Sequence, residues 1–560
     1  MGKYLKITFS PVTEFIEKTR KLRDLYGSSF LLSYLSFFTA KAMLARDPQI
    51  QALGLREVVR GTPDEIIFVG KDFTEEDGEV AKEAFDLIWS RLVTICQQWL
   101  REKLPHYQYS WNRYWNSWKN HAWEFFYGLG DTREAANQDL LDRQYQRRVW
   151  VGINWEGDSS SLSGGDAIAF PNMSQANPHE SDYQTIKKEI DDFYKELSIK
   201  IGEIYLKSRT ELDRRYQGDD RQAKIAEYGE AIISPNEPLN IPELVKRLVM
   251  IDAVGDLVNN DQVQPFPLAK VYLNQALEQT KIDKLKKSYY KIERFGETNW
   301  SGWFSGDGDG LGKYTRSLSA QELNQFTQNF QNWNDDELRK EIEEKQDIGR
   351  LIYAGGDDFL GIFIPRQNER PITGKSCWAW WRDFAQIWSR HGYSDRITVS
   401  VGFVWAAPKV PQRRVLQHCN EVNGKAKSIG KNRIVIRILF NSDNHLEWSC
   451  PWWFLKYLGQ YQGSNWDQIL KDVAHLEAQH AFNSSNTEVG RGILRIYFGE
   501  SILTTLDHLW NHKQQAGILG DRLPYLNPQT QELDQERVNQ ALNNWIVNLA
   551  KVGYYLFRDD

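Results

Sequence analysis

Two aspartate pairs carry the residues best suited to chemistry. Asp357 and Asp358 follow Gly355 and Gly356 and lie between two short apolar runs, 351–353 and 359–364. Apolar runs joined through glycine predict a β-hairpin with the carboxylates at its turn. The glycines can take positive φ and leave room for a phosphate beside the backbone. Adjacent carboxylates repel each other without a cation. Mg²⁺, which prefers oxygen ligands and is commonly shared with substrate phosphates, fits that need, and Mn²⁺ is the alternative. The plain alternative is a solvated acidic turn. Upstream, Asp307 and Asp309 end another apolar run and lead into Gly310, Gly312 and Lys313. A carboxylate at a strand end, beside a glycine-rich turn into a helix, suits metal and phosphate together. A calcium loop also carries DxDG, but its closing glutamate is missing here and the preceding run reads as strand. Two acidic clusters at strand ends are what a two-metal nucleotidyl-transfer site needs.

The elements that must position these carboxylates follow from hydrophobic period. From 298 to 440 the order is a strand ending in the first acidic cluster, a helix at 320–345 and the hairpin. A helix at 377–391, a strand at 397–405, a helix at 410–427 and a strand at 433–440 follow. This is β-α-β-β-α-β with an extra α-β, the ferredoxin-like palm order. It allows the first strand and the hairpin to be neighbours, so that Asp307, Asp309, Asp357 and Asp358 converge on one edge. Near the N-terminus, 4–10 reads as a strand ended by Pro11, and 64–70 as a second strand without an acidic pair. Between them an apolar helical period runs from Val12 onwards. Gly27 is expected to break it, with Ser28 or Ser29 capping a second helix whose N-terminus can receive a phosphate; a plain helix joint is the other reading. Residues 79–127 read as helical and rich in tryptophan, a stripe that suits core or interface. Residues 156–166 read as a loop, 181–232 as a long charged helical pair, 241–254 as a helix, and 255–295 as helical with Lys281, Lys284, Lys286 and Lys287. From 446 to 560 the pattern is mostly helical.

Composition bounds the function classes. The chain has 560 residues, 41% of them hydrophobic, with 22 Trp, 25 Tyr and 26 Phe, far too many for a disordered protein. A net charge of −6 excludes a generally basic nucleic-acid binder, though local basic patches and partner subunits can supply positive charge. Cys96, Cys377, Cys419 and Cys450 are scattered, which argues against a disulfide framework or a zinc ribbon and fits a cytoplasmic setting. The first residues run straight into a strand rather than a signal peptide. The uncharged stretch from Leu25 to Ala40 is short and serine-rich for a membrane span.

Several separate stretches, in order, resemble one family: the large Palm-domain (GGDD) subunit of type III CRISPR effector complexes, most closely its type III-B branch. They are TFSPVTEFIEKTRKLRDLYGSSFLLSYLS near the start, PELVKRL at 242–248, SGDGDGLGKY at 305–314, LIYAGGDDFLGIFIP, and SVGFVWAAPKVPQRRVLQHCNEVNGKAK at 400–427. The resemblance implies an α+β chain with two ferredoxin-like, nucleotide-cyclase-like palms. On that plan 1–130 is the first palm with a helical insertion, 131–295 a helical linker module, 296–445 the second palm and 446–560 a helical C-terminal domain. It implies synthesis of cyclic oligoadenylate from ATP when the guide RNA of the complex pairs with target RNA, alongside other effector subunits. It implies metal binding by Asp357, Asp358, Asp307 and Asp309, a turn shaped by Gly355 and Gly356 over the triphosphate, and triphosphate binding by Lys427. Ser28 and Ser29 would border the second ATP.

The chain departs from the family pattern in three ways. It holds no His-Asp dipeptide, so no HD nuclease activity is expected. Its 150–180 region has no cysteine, so no zinc is expected. Residues 406–411 lack a histidine that often follows that strand. Two other readings stand beside the synthase: a silent nucleotide-binding scaffold of the same complex, and a free-standing GGDEF-type cyclase.

Overall fold

Strand β1 (Tyr4–Ser10) alternates Leu5, Ile7 and Phe9 into an apolar core, and it is the centre of the first of two sheets. β3 (Ile66–Val69) and β4 (Glu124–Gly130) pair antiparallel with it on either side, and the two-residue β2 (Gln51–Ala52) lies beyond β3. The coordinates are a computed structural model. It describes the chain except residues 1, 18, 20, 56–61, 147–156, 174–178, 180, 181, 208–214, 252, 253, 255–298, 347, 365–371, 443, 514, 559 and 560. The helical run expected at 255–295, with its four lysines, lies outside the described residues. The chain forms two compact units, Met1–Glu293 and Arg294–Asp560.

In the first unit, α1 (Thr13–Glu17), α2 (Leu22–Arg46), α3 (Glu75–Lys103), α4 (Asn112–His121) and α5 (Arg133–Tyr145) accompany the sheet. The charged pair α6 (Tyr183–Lys207) and α7 (Gly218–Ile232) and the short α8 (Ile241–Leu248) follow. The tryptophan stripe is core: Trp89, Trp99, Trp111 and Trp115 are all buried. Two expectations fail here. Gly27 does not break the helix, and α2 runs through it as one rod. A Cβ at Gly27 would meet the Lys246 carbonyl at 2.2 Å, so the glycine serves close approach of α8. A glycine inside an apolar period carries either meaning. Residues 124–127, read as the end of a helical stripe, belong instead to β4, paired with β1 along its whole length. Aromatic residues suit a strand as well as a helix, and the strand partner decides. Helix Arg23–Arg46 is long and apolar enough to cross a membrane by length and composition, and 72% of its apolar window is buried inside the protein, as in a core helix.

In the second unit six strands lie in the order β10-β9-β8-β5-β7-β6. They are β5 (Ser301–Asp309), β6 (Gly349–Gly355), β7 (Asp358–Phe363), β8 (Thr398–Ala406), β9 (Arg433–Leu439) and β10 (His445–Pro451). Taking β5 to β8 as first to fourth, the order fourth-first-third-second, all antiparallel, is the ferredoxin-like arrangement. β9 then adds parallel to β8 through a helical crossover, as the extra α-β predicts. β10 adds a further strand in a stretch expected to be helical, and it crosses the expected domain boundary at 445. The helices are α9 (Leu311–Arg316), α10 (Ala320–Asn332), α11 (Gly374–Ser389), α12 (Gln412–Ile429), α13 (Trp466–Ala478), α14 (Glu488–Phe498) and α15 (Gln535–Phe557). On one face of β5, Phe304 packs against Phe363, Trp380 and Trp381, which fixes α11 there. Alternation sends Ser305, Asp307 and Asp309 to the other face. α12 covers that face, where Asn423 donates to the Ser305 hydroxyl at 3.1 Å.

Candidate active site

The register brings the two acidic clusters together. Gly306 stands opposite Phe359, so the end of β5 lies beside the hairpin tip. Gly355 pairs with Asp358, leaving Gly356 and Asp357 as a two-residue turn. Gly356 takes φ +59 and Asp357 does not take positive φ, the pattern of a II′ hairpin turn with glycine first. Asp357 leans over β5: a Cβ added to Gly308 would meet the Asp357 Cβ at 2.7 Å. The second carboxylate, on Asp358, lies near Asp307, and neighbouring carboxylates disfavour each other's charge.

The electrostatics agree. Burial, and then the charge of Asp307, push Asp357 up to about 7. Asp358, although exposed at the hairpin tip, is raised by desolvation and by the Asp307 and Asp357 carboxylates beside it. Lys427, in the last turn of α12, draws both down in part, and its Nζ lies 2.8 Å from Asp307 Oδ2. α12 can deliver it because Gly402 lets the helix backbone lie close: a Cβ there would meet Asn423 N at 2.5 Å.

The Asp309 carboxylate is buried. Oδ1 accepts from the Ser400 hydroxyl at 2.8 Å, and Oδ2 accepts from the Thr398 hydroxyl at 2.9 Å and the Asn432 amide at 3.0 Å. It ties β5, β8 and the start of β9 together. Among the described residues no three His, Cys, Asp or Glu side chains form a ready-made metal cage. What is present is a carboxylate group short of positive charge, and that donor chemistry fits a hard divalent cation completed by phosphate oxygens and water.

Residues 301–435 match the family model described as Cas10/Cmr2, second palm domain, and residues 4–83 match that of CRISPR-associated protein Cmr2, N-terminal. Over these two segments the chain is similar to Cas10/Cmr2 proteins. The acidic turn, Asp307 and Lys427 all lie within the Cas10/Cmr2 palm match. Among solved structures, a Csm1-Csm4 cassette in complex with cA4 is similar with 13% identity and a TM-score of 0.45, over 99% of this chain and 70% of that one. The cassette with one ATP gives 14% and 0.44, and the apo cassette 13% and 0.44, with the same coverage. No curated protein matches.

Ser28 and Ser29 lie in the first unit, in the segment matched by the Cmr2 N-terminal model. Neither caps a helix. Ser28 is buried inside α2 and donates its hydroxyl to the Asp24 carbonyl at 2.7 Å; Ser29 is half-buried. Sequence reasoning also missed a residue of the palm itself. Asn334 donates from Nδ2 to the Gly356 carbonyl at 2.7 Å and so touches the acidic turn. It is one of several asparagines in 324–334, and no spacing rule marks it out.

Proposed function

We propose that this chain is the Palm-domain subunit of a cytoplasmic type III CRISPR effector complex, of the III-B branch by its motifs, and that it makes cyclic oligoadenylate from ATP. Its partners on this reading are the other effector subunits, guide RNA and target RNA. The observation that carries the proposal is the convergence of Asp307, Asp357 and Asp358 at the end of a ferredoxin-like sheet, where both hairpin carboxylates are held above the usual carboxylate range.

In this reaction the 3′-hydroxyl of one ATP attacks the α-phosphorus of another, forming a phosphodiester and releasing pyrophosphate. No protein nucleophile is required. A divalent cation bound by these carboxylates would supply Lewis-acid charge for the hydroxyl and the leaving group. Asp307, Asp357 and Asp358 would hold it. Gly355 and Gly356 would leave room for the triphosphate over the turn, and Lys427, moving from Asp307, would bind phosphate oxygens as a point charge. Ser28 and Ser29 would border the second nucleotide, and Ser29 is the one of the two with exposed surface. The domain plan is that of the sequence, with β10 carrying the second palm to Pro451.

The second reading is a scaffold that binds nucleotide without turnover. The ion pair between Lys427 and Asp307 favours it, because that pair must open before Asp307 can take a cation. The test is ATP turnover by the complex reconstituted with guide RNA, Mg²⁺ and matching target RNA, with products resolved by mass. Oligoadenylate is expected, and the double variant Asp357→Ala, Asp358→Ala should lower its rate by about a thousandfold or more. No product under any metal or target, with the complex intact, would leave the scaffold.

A further inference from the structure

The turn that carries Asp357 is held from outside the sheet. After α10 the chain continues in a wider, π-helical coil, Trp333–Arg339 and Glu341–Lys345. Such coils are rare and recur at functional sites. Three of its side chains reach the hairpin. Glu343 Oε1 accepts the Leu351 amide at 3.0 Å, and Arg339 Nη1 donates to the Leu351 carbonyl at 3.4 Å. Both act where β6 slips its register against β7, between Leu351 and Tyr353. They answer backbone groups of an edge strand, which is a structural task.

Asn334 differs from them. Its acceptor, the Gly356 carbonyl, belongs to the peptide that joins Gly356 to Asp357. Asn334 is 2% exposed, and its Oδ1 is buried with no hydrogen-bond partner among the described residues. An apolar side chain of this size would pack here without leaving an acceptor unanswered. The orientation of the amide is not in doubt, because only its NH₂ end can donate to a carbonyl. Its neighbour Trp333 is anchored in turn, donating from Nε1 to the Ile387 carbonyl at 2.7 Å. The coil that carries the amide is therefore tied to α11 next to Asn334.

We propose that Asn334 is a positioning residue for nucleotidyl transfer: it fixes the peptide plane between Gly356 and Asp357, and with it the approach of both hairpin carboxylates to Asp307. This inference rests on the synthase reading above. Rotation of that plane carries Asp357 off Gly308 and separates the carboxylates that must act together. Small misplacements of this kind lower turnover strongly while leaving substrate affinity nearly intact.

Two arms test it. In the reconstituted complex, Asn334→Leu keeps the apolar packing and removes the donor. It should lower kcat about tenfold or more, with KM for ATP within about twofold of wild type. Asn334→Gln keeps the donor and should recover part of the loss. In the full chain, the Mn²⁺ dissociation constant measured by electron paramagnetic resonance should rise about tenfold for Asn334→Leu, because the carboxylates no longer meet. Wild-type kcat in Asn334→Leu overturns the inference. Equal losses in Leu and Gln variants with a lowered unfolding midpoint also overturn it, since they mark a fold defect. If the wild-type complex makes no oligoadenylate, the synthase reading falls, and the Mn²⁺ arm alone decides: weakened binding supports positioning and unchanged binding overturns it. Should Asn334→Leu not fold, Asn334→Asp, isosteric and without the donor, takes its place in both arms.

Discussion

Each unit of this chain withdraws an aspartate from water, and the two are treated in opposite ways. In the first, Asp24 is wholly buried beside Arg247, whose Nε and Nη2 reach its two oxygens at 2.7 and 3.3 Å. Burial alone would raise its pKa, but the guanidinium, with Arg23 and Lys246 near, holds it below the usual carboxylate range. In the second, burial and neighbouring carboxylates raise Asp357 and Asp358, and Lys427 answers them only in part. A buried carboxylate with its own arginine is a joint, here between α2 and α8. A group of carboxylates without enough cation is a site held ready for charge from outside.

The largest effect on stability should come from breaking the joint. Removing one partner of a buried ion pair leaves the other charge stranded, at about 3–5 kcal/mol. Arg247→Met should therefore lower the urea midpoint of the full chain steeply. Adding Asp24→Asn to it should recover much of the loss, because the stranded charge is gone. If the double variant is no better than the single, Arg247 matters for packing and for its bond to the Ile232 carbonyl rather than for Asp24.

At the turn, removing a charge should raise stability rather than lower it. Asp357 has a folded pKa of about 7 against an ordinary value of 3.8, so folding takes up a proton between these pH values. Its penalty is absent below the ordinary value, grows through the window, and is complete above about 7. Asp24 runs the other way: its contribution is full at neutral pH and is lost only as pH falls through its depressed pKa. In metal-free protein, Asp357→Asn should thus be more stable than wild type at pH 8 by about 1–2 kcal/mol, after discounting for partial solvent screening. The advantage should vanish near pH 4, and Mg²⁺ should raise the melting point of wild type more than that of the variant. Thermal scans at the two pH values check this, and equal melting points at pH 8 would show that the turn's charge is already neutralised.

How much of this was legible in the sequence depends on whether the cause was local. The hairpin was, because its period-2 runs and glycines encode a turn by themselves. The strand order was, because the ferredoxin-like order follows from element sequence. Asp307 and Asp309 were not separable: they share type, spacing and strand face. What divides them is Thr398, Ser400 and the Asn432 amide, which arrive from elsewhere in the sheet and hydrogen-bond Asp309. Gly27 failed for the same reason, since its partner is a carbonyl 219 residues on, at Lys246. Asn334 was invisible because its meaning is a single bond to a turn that the sequence places in another element.

The smallest effect should come from Lys427, and it sharpens the contrast most. Its pair with Asp307 is partly open to solvent, with side chains 38% and 25% exposed, so Lys427→Met should change overall stability by only about 0.5 kcal/mol. Arg247 and Lys427 each face an aspartate at hydrogen-bond distance, yet the first pair is sealed from water and the second is not. The difference shows in titration rather than in stability. Lys427 draws the pKa values of Asp357 and Asp358 down, so its loss must send both higher. Measured in the Lys427→Met background, the pH at which the advantage of Asp357→Asn stops growing should therefore move up and its size at high pH should increase, while stability near pH 4 stays put. A large loss at pH 4 as well would mean that Lys427 holds α12 to the sheet, as Arg247 holds α8 to α2, and that the site has no free cation to exchange for a nucleotide.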